Sequence, residues 1–347
     1  MMNHRERFIA TVDRKPVDRP ACWLGMPMST AMSGLYKHFK VDNPVDLKVA
    51  VDDDVWEVDV PYDNPPTNHV ACAFNFAKKG PMAYENRTLT APGFFEDCKD
   101  PAKVDEFDWP DPAVHIDPEK CREVVDAVPR DYPVLGVLWS AHFQDLLAAF
   151  GMERCFVRMQ THPAVVEAVS SRIVDFYLKA NEIFYKATSG RLDAVLVGND
   201  FGGQKGLMIH PKKIERFALP GAKKIVDQAK ARGLKVIYHS CGSVYEAIPM
   251  LVDLKVDAIH PIQALADQME PWRLKANFGN QVSFCGGVDH QHLLVNGKPD
   301  DVIKKVLELR RIFPTGLVIS PSHEAIVPDI PPRNIEAMLA AVKRGKP

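Results

Sequence analysis

The 347-residue sequence lacks a strong charge imbalance: 43 basic residues stand against 45 acidic ones, and the formal net charge is −2. No run of lysines or arginines stands out, so we expect no nucleic-acid partner. No apolar stretch is long enough to cross a bilayer, and the first residues, Met1–Arg7, lack the apolar segment of a signal peptide. We therefore expect a cytoplasmic protein without a membrane partner.

The sequence also lacks a regular cysteine framework. It has seven cysteines, an odd number, and their spacing is irregular. Such a pattern is more typical of reduced thiols than of a set of disulfides.

What the sequence does contain is a repeated alternation of apolar runs and segments with helical periodicity. This alternation indicates parallel strands joined by crossover helices, and eight repeats predict a closed (β/α)8 TIM barrel. The hydrophobic content of 46% supports a large core, and without a linker we expect one domain over residues 1–347. The predicted strands are 20–25, 54–61, 132–139, 193–199, 234–239, 256–261, 282–286 and 316–320.

Two segments do not follow this rhythm. Residues Arg5 to Val12 are predicted to form an N-terminal helix that precedes the first strand. Residues 63–131 are rich in proline, asparagine and aromatic residues, and we interpret them as an insertion after the second strand. Within this insertion, Leu89 to Cys98 are predicted to form a hairpin.

The motif His239-Ser-Cys241 closes the fifth apolar run. Side chains at positions i and i+2 of a strand point to the same face, so this imidazole and this thiolate are predicted to bind one zinc ion. The alternative is a buried thiol beside a hydrogen-bonded histidine.

Other polar and aromatic residues recur at the predicted strand ends, where active sites of TIM barrels gather. Asp200 and Asp289 end the fourth and seventh strands, and we predict that they orient the substrate or take a proton. For Asp200, a helix cap is the alternative. The aromatic side chains in this set are also compatible with simple core packing. The predicted substrate-binding residues are Trp23, Trp139, Asn199, Gln204, His260 and His323.

Three blocks of sequence carry a resemblance to a known family. They are Arg5-Glu-Arg-Phe8 with Asp18-Arg-Pro20, Phe284-Cys-Gly-Gly-Val-Asp289, and the stretch from Pro321 to Asn334. These blocks resemble the uroporphyrinogen decarboxylase superfamily. Within that superfamily, His239-Ser-Cys241 resembles the zinc pair of the corrinoid-linked methyltransferases.

The resemblance implies a third zinc ligand at the end of the eighth strand. In the zinc methyltransferases this ligand is a cysteine, and its position falls on Glu324 in this chain. A carboxylate can bind zinc, so the predicted ligands are His239, Cys241 and Glu324. His323 and Cys285 remain alternatives for the third position.

The resemblance also implies a function. True decarboxylases carry arginines after the first strand, whereas this chain has Trp23-Leu-Gly-Met-Pro27. We therefore predict a zinc-dependent methyltransferase that moves a methyl group between a small methylated substrate and a corrinoid protein, or a thiol or folate acceptor. The chain has no Asp-x-His-x-x-Gly cobalamin signature, so the corrinoid is expected on a separate protein. The alternatives are a decarboxylase-like lyase and a metal-free binding barrel, and a homodimer is left open.

Overall fold

The computed structural model describes residues 2–63 and 89–344. The strands are β1 (Met26–Pro27), β2 (Trp56–Asp59), β3 (Val134–Trp139), β4 (Ala194–Gly198), β5 (Lys235–His239), β6 (Ala258–Ile262), β7 (Ser283–Val288), β8 (Leu317–Pro321) and β9 (Ala325–Ile326). The main feature is a curled sheet of seven parallel strands in the order β2-β3-β4-β5-β6-β7-β8, and a separate parallel pair joins β1 to β9.

Helices lie between the strands, because a parallel sheet needs a crossover connection after each strand. Short 3₁₀ helices span Pro101–Glu106, Pro112–Val114 and Tyr245–Ala247. Within the described ranges, no helix is long and apolar enough to span a bilayer. The α-helices there are α1 (His4–Val12), α2 (Ser29–Phe39), α3 (Pro44–Val51), α4 (Pro118–Asp126), α5 (His142–Phe150), α6 (Met152–Thr161), α7 (Pro163–Ala187), α8 (Pro211–Phe217), α9 (Leu219–Lys230), α10 (Ile248–Asp253), α11 (Pro271–Phe278), α12 (Leu293–Asn296), α13 (Pro299–Ile312) and α14 (Pro332–Lys343).

The strands are apolar because the sheet is covered on both faces. A large cluster packs between the sheet and the outer helices, and a smaller cluster fills the concave face. Helix α1 sends Phe8 and Val12 into the smaller cluster. Its Val12 carbonyl also accepts a hydrogen bond of 2.7 Å from Ser283 Oγ at the start of β7. Helix α1 thus covers the N-terminal edge of the sheet, which leaves the C-terminal edge for the site.

Seven of the eight predicted strands are confirmed, but the closed barrel is not, because the described residues contain no eighth strand in the sheet. The predicted first strand, 20–25, forms only one parallel bridge, from Cys22 to Ile319. On its other side, carboxylates take the place of strand carbonyls. The Cys22 N–H donates to Asp54 Oδ2 at 2.9 Å, and the Leu24 N–H donates to Asp53 Oδ2 at 2.6 Å.

The predicted N-terminal helix is confirmed as α1. It begins with a capping box, in which the Asn3 side chain accepts the Glu6 N–H and the Glu6 side chain accepts the Asn3 N–H. The predicted hairpin is wrong. Residues 89–98 form turns, and the Phe95 N–H donates to the Ala149 carbonyl at 2.8 Å, so this segment packs on α5 instead of pairing with itself. Residues 64–88 of the predicted insertion lie outside the described residues.

Candidate active site

Five side chains that are able to bind a metal converge at the C-terminal edge of the sheet. They come from four strands or the loops after them: Asp200 after β4, His239 and Cys241 at and after the end of β5, His260 in β6, and Glu324 after β8. Their ligand atoms form two groups, each within 4.8 Å. One group is Asp200, His239 and Cys241, and the other is His239, His260 and Glu324. His239 belongs to both groups.

The His239 ring is buried, with 4% of the residue exposed, and each ring nitrogen faces a different group. Its Nε2 lies 3.2 Å from Asp200 Oδ1. Its Nδ1 lies 3.0 Å from His260 Nδ1 and 3.6 Å from Glu324 Oε2. Only the first two of these distances are short enough for a hydrogen bond. The imidazole is therefore held from both sides.

The loops after β4 and β5 are in direct main-chain contact, which brings Asp200 close to Cys241. A methyl group on Gly202 would lie 2.6 Å from the Cys241 carbonyl oxygen, and one on Gly242 would lie 2.7 Å from the Gly202 backbone. Gly242 also has a positive φ of 81°. The Cys241 N–H donates to Asp200 Oδ1 at 3.3 Å. Glycine permits this approach because it has no Cβ.

The electrostatics of the site favour positive charge at its centre. Burial by itself would lower the pKa of His239, but the carboxylates of Glu324 and Asp200 outweigh it and raise this pKa well above its ordinary value. Burial opposes ionisation of Asp200, yet the contact with His239 holds the pKa of that carboxyl below its usual range. Burial lowers the pKa of His260, and the neighbouring His239 lowers it further. Two carboxylates around one imidazole thus stabilise a proton or a cation there.

These residues fit a zinc ion. A thiolate, an imidazole and a carboxylate are the donors that zinc binds in proteins. Two polar atoms of the site, Glu324 Oε2 and His260 Nε2, are buried and have no hydrogen-bond partner among the described residues. Such atoms are rare in proteins, and a bound ion beside them is one ordinary explanation.

The three candidates for the third ligand are placed differently. Glu324 lies in the second ligand group, away from Cys241. His323 Nδ1 lies 3.4 Å from Glu324 Oε2 and accepts the Ala325 N–H at 3.2 Å. Cys285 lies inside β7 with its Sγ 3.4 Å from Ser320 Oγ, and burial raises the pKa of its thiol to about 12. Neither His323 nor Cys285 belongs to a ligand group among the described residues.

The comparison with known families decides the relationship. The family model for uroporphyrinogen decarboxylase (URO-D) matches residues 71–345. The chain belongs to the uroporphyrinogen decarboxylase family.

Two curated proteins and one solved structure that are similar to this chain are named as methyltransferases. A stretch of 135 residues, 38% of the chain, is 30% identical to "Methylcobamide:CoM methyltransferase MtbA" of Methanosarcina acetivorans. A stretch of 132 residues is 29% identical to the protein of the same name from Methanosarcina mazei. These matches span only 37% and 36% of the lengths of the two relatives. A solved "methyltransferase from Methanosarcina mazei" covers 99% of this chain and 98% of its own, with a TM-score of 0.69 and 15% identity, so it shares the fold.

In this uroporphyrinogen decarboxylase family member, two tryptophans border the histidines. The Trp139 ring meets the His239 ring edge-on, with centroids 5.2 Å apart. Trp139 and Ser140 both have positive φ, 52° and 51°, a strained conformation that tends to occur at functional sites. The Trp23 ring lies 5.4 Å from the His260 ring, and its Nε1 donates to Glu57 Oε2 at 3.2 Å. Trp23 and Trp139 thus lie beside the histidines of the site, and their contact with a substrate stays a prediction.

Asp289 is engaged by its own loop. Its carboxylate accepts the N–H groups of the next turn, from Gln291, His292 and Leu293, at 2.7 to 3.2 Å. This arrangement caps the start of α12. Its predicted catalytic role stays a prediction.

Asn199 and Gln204, predicted to bind substrate, lie in contrasting surroundings. Asn199 is buried, accepts the Phe143 N–H at 2.7 Å and donates to the Tyr238 hydroxyl at 2.9 Å. Gln204 is exposed, and its backbone carbonyl accepts the Asp267 N–H at 3.0 Å. Asn199 therefore connects β4 with its neighbours, and its role toward a substrate also stays a prediction.

Three residues of the site escaped the sequence analysis. Gln144 in α5 faces the Asp200 carboxylate and helps to hold its pKa below the usual range. Gln263 accepts the Gly242 N–H at 2.7 Å and so fixes the loop that carries Cys241. His290 stacks on His323 with ring centroids 5.3 Å apart. All three follow a strand in the sequence, and the furthest, Gln144, comes five residues after the end of β3 at Trp139, so their position just past a strand is the signal that the sequence offers.

Proposed function

We propose that this protein is a zinc-dependent methyltransferase that moves a methyl group between a small methylated substrate and a corrinoid protein, or a thiol or folate acceptor. Membership of the uroporphyrinogen decarboxylase family and the similarity to two methylcobamide:CoM methyltransferases support this proposal. The observation that carries it is the close grouping of His239 and Cys241 with carboxylates at the C-terminal edge of the sheet.

The residues of the site have different proposed roles, which are to hold the metal ion and to fix and shield the His239 ring. His239 and Cys241 would hold the ion together with a carboxylate, Glu324 by the sequence prediction. Bound there, zinc supplies a Lewis acid that lowers the pKa of a coordinated thiol or hydroxyl, or polarises an ether oxygen. Trp139 shields one edge of His239. His260 Nδ1 lies 3.0 Å from Nδ1 of the same ring and is placed to share its proton and fix its orientation.

The corrinoid is proposed to arrive on another protein, since the chain has no cobalamin-binding signature of the Asp-x-His-x-x-Gly type. The substrate is then the small methylated compound or the acceptor that meets this corrinoid.

Decarboxylation is the second candidate, because the family takes its name from it. A decarboxylase of this type needs cations for the substrate's carboxylates. The end of the predicted first strand and the residues after it offer Trp23, Leu24 and Met26 instead, and the centre of the site carries two carboxylates. These features favour methyl transfer.

The test begins with zinc. We expect about one zinc per chain by elemental analysis of the purified protein. We also expect the visible spectrum of methylcobalamin to change when a small thiol and the protein are added together. Protein stripped with a chelator should leave methylcobalamin unchanged, and added zinc should restore the reaction, whereas zinc alone should not support it. A wild-type protein that retains no zinc would contradict the proposal.

A further inference from the structure

The His239 ring separates the two ligand groups. Asp200 lies on the side of Nε2, at 3.2 Å, and Cys241 shares its group. His260 and Glu324 lie on the side of Nδ1, at 3.0 and 3.6 Å. The predicted trio of His239, Cys241 and Glu324 therefore takes its two partners from opposite sides of one ring.

This arrangement bears on which residues share one ion. Each imidazole nitrogen offers a single lone pair in the plane of the ring, and the two nitrogens point in different directions. An ion that binds one ring nitrogen therefore takes its other protein ligands from the group on the side of that nitrogen. The choice is between Nε2 with Cys241 and Asp200, and Nδ1 with His260 and Glu324.

We propose that the metal binds His239 through Nε2, with Cys241 and Asp200 as the other protein ligands, and that His260 and Glu324 are positioning residues which fix the ring through Nδ1. This assignment rests on the proposed function. It replaces Glu324 by Asp200 in the ligand set and competes with the predicted role of Asp200 in proton transfer.

The Nε2 side has the better donors. It alone includes a thiolate, and sulfur is a preferred ligand of zinc. Ligand atoms around a tetrahedral zinc ion lie about 3.3 to 3.8 Å apart, given bond lengths of about 2.0 to 2.3 Å. The 3.2 Å between His239 Nε2 and Asp200 Oδ1 is near this range, so little movement is needed.

On the other side of the ring, His239 Nδ1 already has a hydrogen-bond partner. His239 Nδ1 and His260 Nδ1 are 3.0 Å apart, so one of them must carry a proton and donate it to the other. If Nε2 binds the metal, this proton belongs to His239 and His260 is the acceptor. A metal-bound histidine commonly donates its second N–H in this way, and the acceptor fixes the orientation of the ring.

Glu324 then acts through charge. Its Oε2 is 3.6 Å from His239 Nδ1 and 3.4 Å from His323 Nδ1. It is buried and has no hydrogen-bond partner among the described residues. A carboxylate in this position balances the positive charge behind the ring without occupying the coordination sphere.

Two matched variants separate the assignments, because Asp200→Asn and Glu324→Gln each remove one negative charge with almost no change of shape. We expect Asp200→Asn to lower zinc affinity by more than about a hundredfold, and Glu324→Gln by no more than the ten- to hundredfold typical of outer-shell changes. Cobalt(II) in place of zinc should keep its spectrum in Glu324→Gln and change it in Asp200→Asn. Equal losses in both variants, or a larger loss in Glu324→Gln, would overturn the assignment.

A measurement on the unaltered protein covers the case in which a variant fails to fold. X-ray absorption at the zinc edge should show one sulfur and one imidazole. Two imidazoles without sulfur would place the ion at Nδ1 and overturn the assignment, while leaving zinc-dependent methyl transfer intact. A wild-type protein without zinc would instead remove the proposed function itself.

Discussion

The two edges of the sheet differ in how completely their buried polar groups are hydrogen-bonded. At the N-terminal edge, the fully buried Asp54 carboxylate is saturated. It accepts hydrogen bonds from Arg7, Arg19, His4 and the Cys22 N–H. At the C-terminal edge, Glu324 Oε2 and His260 Nε2 are buried without a hydrogen-bond partner among the described residues.

This difference indicates that the N-terminal edge contributes to stability and that the C-terminal edge contributes to function. A buried charge is costly unless partners surround it, and at the N-terminal edge the partners come from the protein itself. At the C-terminal edge, the described residues leave polar atoms of Glu324 and His260 without hydrogen bonds, beside the histidine that is proposed to bind the metal. Barrel-type folds show the same division, with binding at the C-terminal ends of the strands.

The largest effect should come from removing the Asp54 carboxylate, which joins the buried hydrogen bonds at the N-terminal edge. Replacing Asp54 by Ala leaves Arg7 and Arg19 without their shared carboxylate, so the free energy of unfolding should fall by about 3 to 5 kcal/mol. Urea unfolding measures this, and zinc per folded chain should not change. The control is Asp227→Ala, which removes an exposed pair with Lys223 and should cost less than about 1 kcal/mol. If Asp54→Ala lowers the free energy of unfolding no more than Asp227→Ala does, the N-terminal edge does not have the special role in stability that we infer.

The next effect tests the C-terminal edge. Replacing Cys241 by Ala removes a thiolate ligand, and zinc affinity should fall at least about a hundredfold, or about 2.7 kcal/mol. Cys285→Ala is the matched control, because that thiol is buried in β7 beside Ser320. It should lower stability but keep the zinc, which a competition titration with a chromophoric chelator measures. Full zinc binding by the Cys241 variant would show that this edge holds no thiolate-bound metal.

The smallest effect is the response to acid. The hydrogen bond from Arg7 lowers the pKa of Asp18 to about 2 in the folded state. Since this pKa is depressed below its unfolded value of about 4, the stabilisation is present above pH 4 and is lost as the pH falls from about 4 to about 2. Asp18 is partly exposed, so we expect on the order of 1 kcal/mol. Urea midpoints of wild type and Asp18→Asn should converge across this window; a constant gap between them would mean that Asp18 does not titrate there.

Seven strands could be predicted from the sequence because each is a short apolar run bounded by polar residues, which is typical of a sheet covered on both faces. The run at 20–25 has the same composition. It fails to form a strand because Asp53 and Asp54 bind its N–H groups with their side chains. Such a substitution of carboxylates for main-chain carbonyls leaves no mark in the periodicity.

The site could be predicted to a similar degree. The i and i+2 spacing of His239 and Cys241 locates the pair, and the strand-end rule points to Asp200, His260 and Glu324. What the sequence does not contain is the direction of each ring nitrogen. That direction follows from how β5, β6 and the loop after β8 are packed, which places Asp200 at Nε2 and Glu324 at Nδ1.

The contact between Gly202 and Gly242 has a consequence for protein engineering. Main-chain atoms are the nearest neighbours at both glycines and set the spacing of the loops that carry Asp200 and Cys241, so a rotamer change is not able to make room for an added methyl group. Alanine at either position would place its methyl group within 2.7 Å of the main chain of the facing loop, and at Gly242 it would also have to adopt a φ of 81°. The two glycines are therefore positions that engineering of the candidate metal site has to keep, because they let the loops that carry Asp200 and Cys241 approach each other.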